Sequence, residues 1–134
     1  MRYPIAIEPG SDTVAFGVVV PDLPGCFSAG DTLDEAIAGA EEAAAAWIDA
    51  ALDAGAAIPA LSRLEVVRDN PDFAGWTVGV ITIDPALLDD TPERVNISLP
   101  RRVLRRLDEQ ARSAGESRSG HIAQLTIAER RGAR

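Results

Sequence analysis

The run RVNISL near the C-terminus alternates polar and apolar side chains. As a strand it places Arg94, Asn96 and Ser98 on one face and Val95, Ile97 and Leu99 on the other. Arg pairs bidentately with guanine, Asn with adenine, and Ser is a less specific donor and acceptor. The polar row therefore carries the chemistry of base-edge recognition in a DNA major groove. Further along, Ser117 has the type and place of a helix cap. The backbone N–H groups of the turn it opens, around Arg118 and Ser119, precede the first helical hydrogen bond and suit a phosphate oxygen. Arg101, Arg102, Arg105 and Arg106 add positive charge nearby, of the kind that sets register rather than sequence choice. The ordinary alternative is a half-exposed edge strand beside a solvated arginine face. Recognition is favoured by the strict order of alternating strand, helix, glycine turn and Ser-capped helix.

These residues need elements to hold them. Pro100 opens a helix whose Val103, Leu104, Leu107 and Ala111 share one side, and Gly115 ends it. The helix capped by Ser117 is expected to turn Ile122, Leu125 and Ala128 inward. A module of this size is near the limit at which a chain needs disulfides, metals or oligomerisation to hold a core. Only oligomerisation is available. A homodimer is therefore expected, with two copies of the strand paired as an antiparallel ribbon that fits a major groove.

The charge divides the chain. Every basic residue is Arg and none is Lys. Residues 1–92 hold three Arg against sixteen carboxylates, a formal −13, whereas residues 93–134 hold ten Arg against five carboxylates, a formal +5. The basic end suits a polyanion and the acidic end a cationic partner. No apolar run approaches the roughly 20 residues needed to span a bilayer, and the start lacks the apolar stretch of a secretion signal. A cytoplasmic location and no membrane partner are expected. Cys26 has no second Cys to pair with, and Cys26 and His121 alone make no cluster of soft ligands, so neither metal nor cofactor is expected.

In the acidic part, RYPIAIEP and VAFGVVVP flank the turn-forming GSDT and read as a hairpin. The segment PDLPGCFSAGD fits a bend followed by a short third strand ending near Ala29. Thr32 and Glu35 have the spacing of a capping box. Behind them Leu33, Ala36, Ile37, Ala40, Ala44, Trp47, Ile48, Ala51 and Leu52 lie on one helical face, closed by Gly55. Ser62, with Glu65 three residues on, is expected to cap a second helix that stops before Pro71. WTVGVITID, residues 76–84, reads as a buried strand, and PALLDDTP, residues 85–92, as a linker. Glu8, Asp12, Asp22 and Asp31 fall mostly in turns, so no carboxylate pair is set for two-metal nuclease chemistry. Cys26 reads as a buried turn residue, His121 as a surface or phosphate-facing one, and Trp47 and Trp76 as core.

The C-terminal pattern resembles the ribbon-helix-helix repressors over nearly all of residues 93–130. RYPIAIEPG, AFGVVVPDLPGCFSAGDTLDEAIAGAEEA and WTVGVITID are similar to the HicB antitoxin family, many of whose members carry such a tail. The resemblance implies an α+β chain. Residues 1–84 would form a partial RNase H-like βββααβ domain, 85–92 the linker, and 93–134 a ribbon-helix-helix (βαα) dimerisation and DNA-binding domain. It implies a non-enzymatic antitoxin that masks a HicA-like, mRNA-cleaving toxin and represses its own operon at an operator in double-stranded DNA. Dimers pairing into tetramers are left open. The competing reading is a ligand-sensing ribbon-helix-helix repressor.

Overall fold

In the computed structural model, which describes residues 1–132, the chain divides into two compact units, Met1–Asp90 and Thr91–Arg134. The first follows the order expected from sequence: strands β1 (Arg2–Glu8), β2 (Phe16–Val19) and β3 (Phe27–Gly30), helices α1 (Leu33–Asp53) and α2 (Leu64–Arg68), then β4 (Thr77–Thr82). The four strands form an antiparallel sheet in the order β3-β2-β1-β4.

Register fixes which side chains share a face. Ile5 pairs with Gly79, Tyr3 with Ile81 and Val18 with Ser28, so Tyr3, Ile5, Ile7, Val18 and Ile81 point to the face covered by α1. Met1 and Ile83 exchange both backbone hydrogen bonds, at 2.7 Å each. By antiparallel alternation Tyr3 and Ile5 then bond β4, while the backbone groups of Pro4 and Ala6 face β2. Continuing the Ala6–Val19 register by two residues brings Pro4 opposite Pro21. Two residues without N–H groups meet where the ladder ends, which is how a proline sits in an interior strand without forfeiting a ladder bond.

Helix α1 begins with the expected capping box: Glu35 N–H donates to Thr32 Oγ1 at 3.1 Å, and Thr32 N–H donates to Glu35 Oε2 at 3.4 Å. Its fully buried residues are Ala36, Ala40, Ala44 and Ile48, an i, i+4 line of mostly small side chains that lets the helix lie close on the sheet. Leu33, expected on that stripe, is exposed because it precedes the first turn in contact with the sheet. A Cβ on Gly30 would lie 2.6 Å from Ala36 N, so the strand-to-helix approach requires glycine there. The Ser28 hydroxyl donates to the Ala36 carbonyl across the same junction.

Between β2 and β3 the loop closes on itself through Val20 N–H to Cys26 O, Leu23 N–H to Val20 O and Cys26 N–H to Leu23 O, all at about 3 Å. It turns through Gly25 at φ +79°. Leu23 and Cys26 plug the core, and burial raises the Cys26 thiol above its ordinary pKa, which suits an inert packing residue. Trp47 Nε1–H donates to Pro24 O at 2.9 Å, so this half-buried indole also ties the loop to α1.

Three further expectations change. Ser62 does not cap α2: its N–H and hydroxyl donate to the two oxygens of Asp22 at 2.8 and 2.6 Å, and the helix starts at Leu64. Strand β4 lies at the sheet edge rather than buried within it, with Ile81 buried and Val80 exposed. Pro85–Leu88, read from sequence as linker, is a 3-10 turn packed against α1 within the first unit, capped by Asp84 accepting from Ala86 N–H at 2.9 Å.

On the sheet face opposite α1, α2 covers the β1–β4 half, where Val67, Pro4 and Ala6 are buried. The second unit contains helices α3 (Arg101–Ser113) and α4 (Arg118–Gly132). No helix among the described residues is long and apolar enough to cross a membrane.

Candidate nucleic-acid interface

The second unit holds all the residues nominated for DNA contact. Residues 94–99 take no regular secondary structure in the single chain. A strand needs a partner, and one copy supplies none. Arg94, Asn96 and Ser98 are exposed. So are the apolar residues between them: Val95 at 74%, Ile97 at 63% and Leu99 at 38%. Three alternate apolar side chains in water mark a surface that a lone unit leaves uncovered.

Helix α3 begins after Pro100, whose carbonyl accepts from Val103 and Leu104 N–H, and buries Leu107 and Ala111, with Val103 and Leu104 half-buried. Its end is a Schellman turn. Glu116 N–H reaches Ala111 O at 2.9 Å and Gly115 N–H reaches Arg112 O at 3.1 Å, with Gly115 at φ +70°. Helix α4 differs from expectation: Ile122 is half-buried, but Leu125 and Ala128 are exposed rather than turned inward. A single α3 is too small a surface to cover α4 along its length.

Ser117 caps α4, accepting from Gly120 N–H at 3.0 Å while its carbonyl takes the first helical bond from His121 N–H at 2.8 Å. The N–H groups of Arg118 and Ser119 precede that first bond. The Arg118 side chain is committed elsewhere. It donates from Nε to Asp108 Oδ1 at 2.8 Å and from a terminal nitrogen to Oδ2 at 3.1 Å, a fork that joins α3 to the start of α4. That pairing raises the Arg118 pKa and lowers the Asp108 carboxyl below its ordinary value. Arg101, Arg102, Arg105 and Arg106 are exposed on α3.

His121 is not a surface residue. Its side chain is mostly buried and its Nδ1 lies 2.8 Å from Glu116 Oε2. A carboxylate accepts, so Nδ1 carries the proton. Glu116, five residues ahead of His121, is the sequence signal for this pairing. Among the described residues no group of three or more His, Cys, Asp and Glu side chains is placed to hold a metal ion.

Residues 3–126 match the sequence profile of a family described as the HicB-like antitoxin of bacterial toxin-antitoxin systems. The chain is 37% identical, over 93% of its length and 94% of the relative's, to an uncharacterised 14.9 kDa protein of the rep-hol intergenic region of Haemophilus phage HP1. It is similar to the crystal structure of the Burkholderia pseudomallei antitoxin HicB, at 34% identity and TM-score 0.61, over 95% of this chain and 96% of that one. A chain of the HicA3 and HicB3 toxin-antitoxin complex matches at 34% identity and TM-score 0.55, over 63% of this chain and 100% of its own.

Proposed function

Because the chain belongs to the HicB-like antitoxin family of bacterial toxin-antitoxin systems, we propose that it is an antitoxin with two separable activities. Its first unit binds and neutralises a HicA-like, mRNA-cleaving toxin. Its second unit, as a homodimer, binds operator DNA and represses its own operon. The observation that carries the reading is the match to a chain from a toxin-antitoxin complex. The formal −13 of the first 92 residues supports it independently, since that charge speeds capture of a cationic protein.

In this reading residues 1–90 are a partial RNase H-like domain that performs no catalysis and holds no metal, and 93–134 are a ribbon-helix-helix. Two copies of residues 94–99 pair, covering Val95, Ile97 and Leu99 and presenting Arg94, Asn96 and Ser98 twice to the major groove. The Arg118 and Ser119 amides, organised by Ser117, take a backbone phosphate. The Arg118 guanidinium, forked onto Asp108, fixes the angle at which that turn is presented.

Co-expression with a HicA-like toxin and a DNA-binding assay on the sequence upstream of the chain's own reading frame test both halves. Asn96→Ala is expected to weaken operator binding by about 1–3 kcal/mol and to leave growth rescue from the toxin intact. Lost rescue with retained DNA binding would overturn the division of labour.

A further inference from the structure

The sheet face opposite α1 is covered by α2 over β1 and β4 but bare over β2 and β3. On the bare half Val19 lies directly across from Phe27, and Gly17 from Ala29. Phe27 is 69% exposed and is the one aromatic side chain in the described residues that is not at least half-buried. Beside it, a Cβ placed on Gly17 would lie 3.2 Å from Glu8 Oε2, so the Glu8 carboxylate lies over Gly17 on this same face. Glu8 is the only charged side chain among the β2 and β3 positions of the face and the β1 positions that pair with them.

We propose that this half-face, anchored by Phe27 and flanked by Glu8, is where the toxin docks; the inference rests on the antitoxin reading above. An exposed aromatic on a rigid sheet is the residue type that carries binding energy when a partner buries it, with Val19 and Ala29 completing the apolar patch. The occupant follows from charge. A second copy would bring its own −13 unit, with a second Glu8, against this one, and like-charge juxtaposition opposes that pairing. A cationic protein with an apolar patch gains from both features at once: Phe27 is covered and Glu8 acquires a partner.

The test uses the full chain and the toxin that co-purifies with it. Phe27→Ser is expected to weaken capture at least about tenfold, and Ala29→Arg to abolish it. Glu8→Gln is expected to weaken it a few-fold and to reduce its salt dependence. All three should keep the wild-type thermal transition and operator affinity, since each site is exposed. Glu42→Gln, on the outer face of α1, should leave capture unchanged. Wild-type affinity for both Phe27→Ser and Ala29→Arg would overturn the docking face while the antitoxin reading stood. A loss of oligomer mass on Ala29→Arg would assign the face to a second copy and overturn the proposal. A wild-type chain that captures no HicA-like toxin would remove the antitoxin reading and this inference together.

Discussion

The two units treat their apolar side chains in opposite ways. In the first, Tyr3, Leu23, Ile48 and Ile81 are no more than 1% exposed, enclosed between one helix and one sheet of the same chain. In the second, among the described residues, only Leu107 and Ala111 are buried, while Val95, Ile97, Leu99 and Leu125 face water. The contrast separates a core that one chain closes from a core that one chain only begins. Stability of the first kind is a property of the fold; under the proposed dimer, stability of the second kind is set by concentration as well.

The sharpest way to break that contrast is Ile97→Glu. Two carboxylates buried in a ribbon cost several kcal/mol, so sedimentation should show the dimer reduced to monomer and operator binding lost, with toxin capture retained. An unchanged mass would mean that residues 94–99 are not the dimer seam. Next is Ile48→Ala, which removes a fully buried side chain between α1 and the sheet. It is expected to lower the stability of the first unit by about 2–5 kcal/mol, and calorimetry at two protein concentrations should find that only the other transition moves with concentration. Thr32→Ala removes the capping box and should cost about 1 kcal/mol, again confined to the first unit. The smallest effect is expected from Asp108→Asn. Arg118 depresses the Asp108 carboxyl in the folded chain, so the pair's contribution is present above the ordinary carboxylate range and is lost as pH falls through the lowered folded value. Because both side chains are solvent-exposed, the acid sensitivity of the second unit should weaken only slightly in the variant.

What the sequence disclosed was local. The GSDT turn between two apolar runs, the Thr32–Glu35 spacing and the glycine at position 115 each act over a few residues, and each stands where the pattern placed it. What it concealed acts at distance. Ser62 with Glu65 has the spacing of a cap, yet Asp22, forty residues earlier, takes both Ser62 donors. The run from Trp76 to Asp84 is apolar enough for an interior strand, but strand order puts β4 at the edge, and no periodicity encodes strand order. The same holds in the candidate interface. The alternation that nominates Arg94, Asn96 and Ser98 is legible locally, yet the single chain exposes Val95, Ile97 and Leu99 as well, and the fork from Arg118 to Asp108 depends on how two helices meet.

The facing prolines at the end of the β1–β2 ladder also bear on how the first unit finds its register. A hairpin is free to slip until something penalises the wrong pairing, and a slip of two residues keeps every side chain on its proper face. Patterning alone does not reject it. Pro4 and Pro21 do: sliding either strand so as to extend the ladder sets a ring nitrogen with no hydrogen against a waiting carbonyl. The two prolines thus act as a mechanical stop, so that when β1 and β2 zip together during folding, the pairing that halts at Ala6 and Val19 is the one that persists.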